Sequence, residues 1–219
     1  MRRALFGTRS RVQAFLAALG QVRVSPRYRG LRWTSAAILI LLAVELVTGI
    51  LLSLYYYPEP DAAYDSARFL LDVVQGGWLM RSVHFWAGEL LLGAVALHLA
   101  HVYFRRAYAR PREYEWVLGG LLLLAVLAFR YTGRLLPWDT FGVHSARAGL
   151  ELLRTVPALG PFLATWLSGG DDMGPNTLSR FFTTHVLILP WFVAGAAALH
   201  LYLVRRHGLK EAEGAGGNA

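Results

Sequence analysis

Cysteine is absent from the 219-residue chain. That excludes disulfides, thiolate metal sites, iron–sulfur ligation and thioether-attached cofactors on this polypeptide. Histidine is left as the ligand for any bound cofactor. Charge is also scarce, 16% of residues against 55% hydrophobic, and it is bunched rather than scattered as on a soluble domain. Acidic residues are missing altogether from the first 33 positions, which hold eight arginines. A net charge of +8 is compatible with nucleic-acid binding, but a membrane protein with basic loops accounts better for this distribution. No nucleic-acid partner is expected.

What the sequence does have is four apolar runs, each long enough for the roughly 20 residues that cross a bilayer: 35–57, 79–104, 116–136 and 181–204. The fold expected is all-α, a transmembrane four-helix bundle. Val12, Phe15, Leu16 and Leu19 recur at helical spacing and suggest an amphipathic helix on the membrane surface. The competing reading is a signal peptide, but the apolar run 14–20 is short and meets Arg23 without a persuasive cleavage site. Residues 1–34 are therefore read as a surface segment, 35–208 as the bundle and 209–219 as a flexible tail. The loop between the third and fourth runs is long, and loops of that length usually carry function or short helices. Leu150, Leu153 and Val156 suggest one such helix on the outer face.

Of the 22 basic residues, 15 lie in 1–33, in the loop carrying Arg105, Arg106, Arg110 and Arg112, and in the tail. The other loops, with the helix ends beside them, hold seven bases and eight acids. The positive-inside rule then puts both termini on the cytoplasmic, negative side. The protein is expected to be a multi-pass integral membrane protein.

His84 and His98 are 14 residues apart on the second run, and His185 and His200 are 15 apart on the fourth. At 100° per residue these intervals return to within roughly 40° and roughly 60° of the start, with a separation of ~21 Å. Each helix thus shows two histidines on one face at two depths. Ionisable groups inside a bilayer are costly and usually functional. His84 with His185 on the outer side, and His98 with His200 on the inner, can each give two axial imidazoles to a haem iron. Such ligation leaves no open position and suits electron transfer. Packed, hydrogen-bonded core histidines are the plainer alternative. His101 is read as a satisfied polar group near the inner surface, and His144 and His207 as loop or end residues. Gly119 and Gly133, also 14 apart, and Gly49 with Ser35, 14 before it, put small residues at both depths, where glycine permits close approach to a flat macrocycle. Helix packing explains any one of them alone. Arg81, one turn before His84, can meet a haem propionate or simply snorkel. Arg180 and Arg205 complete the cofactor-binding candidates.

These residues, with Thr48-Gly49, the Tyr-Tyr-Tyr-Pro of 55–58, Gly-Trp-Leu-Met-Arg-Ser-Val-His of 77–84, Pro-Arg-Glu of 111–113, Thr-Gly-Arg-Leu-Leu-Pro-Trp-Asp of 132–139, Asn-Thr-Leu-Ser-Arg-Phe-Phe of 176–182 and Leu-Pro of 189–190, resemble cytochrome b, specifically the split b6 form. The resemblance covers about 25–208. It implies two non-covalent b-type haems, the outer of low and the inner of high potential. Gly49, Gly119 and Gly133 fall at haem-contact glycines, with Ser35 replacing the fourth. It implies a subunit of a quinol oxidoreductase, with quinol oxidised outside, partly by the loop from Pro137 onward, and quinone reduced inside. A Rieske iron–sulfur protein, a c-type cytochrome and a separate subunit carrying the family's C-terminal half are the implied partners. The whole complex would be dimeric, and this chain would not turn over alone.

Three departures stand out. Trp33 occupies the place where some relatives carry a cysteine for a covalent haem, so none is expected. Phe85 stands where the b6 form has an arginine. Glu45 and Glu89 lie inside apolar runs, and are expected to be protonated, paired with a neighbouring subunit, or part of a proton path. Two other classes compete: a di-haem anchor of a dehydrogenase or hydrogenase, and a haem-free membrane scaffold.

Overall fold

A computed structural model describes residues 29–170 and 173–207. Nearly all of the expected N-terminal surface segment, and the tail, lie outside them. The described residues are helical throughout, joined by turns. Four long segments can cross a membrane: Gly30–Ser53, Gly77–Phe104, Glu113–Leu135 and Pro175–His207. At 1.5 Å per residue each exceeds the ~30 Å of a hydrocarbon core. Large apolar side chains such as Ile40, Leu46, Leu90, Leu124, Leu187 and Trp191 face outward, as an apolar solvent allows. This is an integral membrane protein.

In chain order, α1 is Arg29–Ser53, α2 Pro60–Asp72, α3 Gly77–Phe104, α4 Glu113–Leu135, α5 Thr140–Arg154, α6 Gly160–Ser168, α7 Pro175–Thr183 and α8 Leu189–His207. Proline opens α2 and α7, where its missing N–H costs nothing. α2 was not anticipated. It folds back on α3 at Gly76-Gly77. Gly76 has φ +76°, and a Cβ on Gly77 would run into the Leu70 carbonyl.

The fourth span is not a uniform helix. Between α7 and α8 the backbone makes a π-turn, Thr184–Ile188, in which the Leu189 N–H donates to the Thr184 carbonyl. Pro190 follows, and it has no N–H for the carbonyl four residues earlier. The wider turn absorbs one residue. The 15-residue interval from His185 to His200 therefore acts as about 14 α-helical steps, and the fourth span comes into phase with α3, within roughly 40°.

α1 packs most extensively on α3. α4 packs on α3 and on α8, while α3 and α8 are not a closely packed pair. Between the two histidine levels, Leu91, Val95 and Val126 form an apolar plug with Leu41, Leu42 and Leu123 around it. The densest core lies at the outer end. There α2, α5, α6 and α7 close over the bundle around Leu135, Leu150, Leu178 and Phe181. Tyr131 donates to the Ala146 carbonyl at 2.6 Å and Tyr56 to the Leu136 carbonyl at 2.5 Å. Burial pushes the Tyr56 phenol pKa upward.

Candidate functional site

Three threonines face three of the four histidines. Thr48 Oγ1 donates its proton to the Val44 carbonyl of its own helix at 2.7 Å. Thr132 does the same to Ala128 at 2.8 Å. Thr34 lies 3.1 Å from the Leu31 carbonyl and 3.3 Å from that of Gly30. Such back-bonding is usual for threonine in apolar helices. With its proton committed, each hydroxyl oxygen can only accept. Each faces an imidazole Nδ1: Thr48 on His84 at 2.8 Å, Thr132 on His185 at 3.0 Å and Thr34 on His98 at 2.9 Å. This arrangement favours the tautomer with the hydrogen on Nδ1 and the lone pair on Nε2. A neutral imidazole with Nδ1–H anchored and Nε2 free is the form in which histidine ligates a metal.

At the outer level the His84 and His185 ring centres are 6.3 Å apart, with an interplanar angle of 74°. A single ion bound by one ring nitrogen from each side, at about 2 Å per bond, fits between rings spaced this way. Phe129 meets His185 edge-on, ring centres 5.3 Å apart. At the inner level His98 comes within electrostatic reach of His200.

The small residues let the rings in. A Cβ on Gly133 would lie 2.7 Å from His185 Cε1, and one on Gly49 3.3 Å from His84 Cε1. Gly119 is looser, at 4.0 Å from His200 Cε1 and 3.2 Å from Leu99 Cδ2. Ser35 turns its hydroxyl to the Leu31 carbonyl at 2.7 Å, and its neighbour Thr34 is the residue that reaches His98. The donor set, the spacing of the outer rings and the missing Cβ atoms all suit a flat, iron-bearing macrocycle held from two sides.

Sequence reasoning missed the threonines. The signal was present: Thr34, Thr48 and Thr132 each immediately precede a singled-out small residue. The fourth such position is Leu118, before Gly119, and no side chain bonds His200 Nδ1.

Other candidates come out differently. Arg180 donates to the Trp166 carbonyl, with Thr165 at 3.5 Å. Its guanidinium ties down the end of α6. Arg81 is half-buried at the outer end, within electrostatic reach of Asp139, Arg134 and Arg68. Arg205 lies in the last turn of α8. His101 is not the satisfied group expected. Its ring packs against Gly30, and its Nδ1 has no partner among the described residues. His207 is more than an end residue, for its Nδ1 meets Glu115 at 2.9 Å and joins α8 to α4. Glu89 pairs with Arg130 within the chain, and Arg130 also lies over the Phe85 ring. Trp33 is exposed on α1. At the head of α5, Trp138 has φ +52° and Asp139 accepts from the Gly142 N–H at 2.6 Å, which caps the helix and fixes the Pro-Trp-Asp corner.

Comparison with known proteins matches residues 25–208 to the family Cytochrome b/b6/petB. The cytochrome b6 of Gloeobacter violaceus is 32% identical over 204 residues, 93% of this chain and 95% of its own. The menaquinol:cytochrome c reductase cytochrome b subunit of Geobacillus thermodenitrificans is 35% identical over 167 residues, 76% of this chain and 75% of its own. A chain of a hyperthermophilic respiratory Complex III superposes with TM-score 0.82 at 26% identity, covering 99% of this chain. This chain spans 58% of that longer one.

Proposed function

Because the chain belongs to the cytochrome b/b6 family, we propose that it is the di-haem electron-transfer subunit of a quinol-oxidising membrane complex, carrying electrons from an outer quinol-oxidation site to an inner quinone-reduction site. At the coarser level the chain is a membrane electron-transfer subunit of oxidoreductase type. When bound, non-covalent b-type haems would supply one-electron redox centres at two depths.

His84 and His185 would hold the outer group, and His98 and His200 the inner. Thr48, Thr132 and Thr34 hold the imidazoles in the metal-ready tautomer, and Gly49, Gly133 and Gly119 keep the helix surfaces flat beside them. Arg81 and Arg205 offer positive charge to propionates at the two ends. The Leu91–Val95–Val126 plug keeps water out of the space between the levels. The α5–α6 cap from Pro137 onward forms one wall of the outer quinol site, and its capped corner holds that wall in place. The remaining partners are a Rieske iron–sulfur protein, a c-type cytochrome and a subunit carrying the rest of the cytochrome b fold, in a dimeric complex. Both termini lie on the negative side, as the arginine distribution directs.

The observation that supports this reading most directly is the pair of facing imidazoles, 6.3 Å apart, with both Nδ1 atoms on threonine hydroxyls. A redox titration of the purified complex, followed in the visible region, tests it. Two b-type transitions are expected, with His84→Ala removing one and His98→Ala the other. A spectrum without a reduced b-type α band would leave a haem-free scaffold instead.

A further inference from the structure

Among the four histidines, His84 is the one whose Nδ1 has a carboxyl oxygen within contact distance among the described residues. Glu45, one turn before Thr48 on α1, places Oε2 3.2 Å from His84 Nδ1. The same Nδ1–H already points at Thr48 Oγ1, 2.8 Å away. The hydrogen bond goes to the hydroxyl, and the carboxyl oxygen flanks it. The other carboxyl oxygen, Oε1, is buried and has no hydrogen-bond partner among the described residues. The group rests over Gly88 of α3, where a Cβ would lie 3.7 Å from Oε1. No arginine or lysine forms an ion pair with Glu45 among the described residues, whereas Glu89, the residue after Gly88 on α3, is matched by Arg130. At the inner level Glu115 lies within electrostatic reach of His200, but its carboxyl group is engaged by His207, and His98 meets Thr34.

A carboxyl group behind a ligating imidazole draws the Nδ1 hydrogen toward itself and makes Nε2 a stronger electron donor. Stronger donation favours the oxidised metal. We propose that Glu45 is a positioning residue that acts through His84 to lower the reduction potential of the outer haem relative to the inner one. This rests on the di-haem reading above. It assigns Glu45 a tuning role in place of the proton-path role considered from the sequence.

The test is a potentiometric titration of the purified complex carrying Glu45→Gln or Glu45→Ala, with electron paramagnetic resonance of the oxidised haems as a second readout. The outer step, identified as the one that His84→Ala removes, should move to higher potential. A tenfold or larger change in its equilibrium constant is expected, about 59 mV for one electron, with a shifted low-spin signal and the inner step unmoved. Both transitions present and unshifted in Glu45→Gln would overturn the proposal while leaving the di-haem reading intact. So would a shift confined to the inner step. Loss of the outer haem from the isosteric glutamine variant would make Glu45 a structural prop and overturn the tuning role. Absence of b-type absorption from the wild-type complex itself would instead remove the reading on which the proposal rests.

Discussion

The two ends of the bundle solve the same problem with different materials. The outer end is closed by four short helices over fully buried Leu135, Leu178 and Phe181. Both of its histidines are pinned by threonine, and its glycines fit tightly against the rings. At the inner end the buried cluster is Leu31 with Ala107. Only one of the two inner histidines has a threonine, and Gly119 leaves more room than Gly133. Among the described residues, buried polar atoms without a hydrogen-bond partner occur at both levels, on Glu45 and Glu89 outside and on His101, Glu115 and His200 inside. Rigid, over-determined packing fixes ligands within narrow limits, while a looser end tolerates change. The outer level should therefore respond sharply to substitutions that the inner level accepts.

The largest expected effect separates Gly133 from Gly119. A methyl at Gly133 meets the His185 ring at 2.7 Å, and one at Gly119 stands 4.0 Å from His200. Gly133→Ala should impose an overpacking cost of about 1–3 kcal/mol and lower outer haem occupancy roughly tenfold or more, while Gly119→Ala keeps both haems. The haem-to-protein ratio of the purified complexes measures this. Equal losses would erase the contrast.

Next come the threonines. Thr132→Val leaves the buried His185 Nδ1–H without its acceptor, at a cost of about 1–3 kcal/mol. It should lower the thermal midpoint of the haem-loaded complex more than Thr34→Val does, because Thr132 is only 2% exposed and water cannot substitute. The reverse construction is Leu118→Thr, which supplies the hydroxyl that the inner level lacks. A gain of about 1 kcal/mol in the same melting experiment would show that the asymmetry lies in this one position.

The smallest effect concerns the outer cap. Tyr56→Phe removes the hydroxyl bound to the Leu136 carbonyl and should cost about 1 kcal/mol. Burial raises the folded phenol's pKa. The contribution is therefore fully present below the unfolded tyrosine value of about 10, and is lost as pH rises from there through the higher folded value. The stability gap between wild type and Tyr56→Phe, measured by thermal unfolding, should stay constant through neutral pH and narrow above about pH 10.

The amino-acid sequence determined the four spans, because lipid demands long uninterrupted apolar helices. It also determined the two histidine levels, because helical rise converts an interval of 14 or 15 residues into depth. The family motifs were equally legible. Tertiary structure alone decided which groups meet. It placed Thr34, Thr48 and Thr132 against imidazoles that are 36 to 64 positions away in the chain. It gave Glu89 its arginine from another helix and set Arg180 against the carbonyls at the end of α6. The π-turn before Pro190, which brings His200 into phase, also lay beyond a count at 100° per residue. Periodicity is a property of one helix at a time. Hydrogen bonds between helices depend on their relative rotation and height, which packing sets.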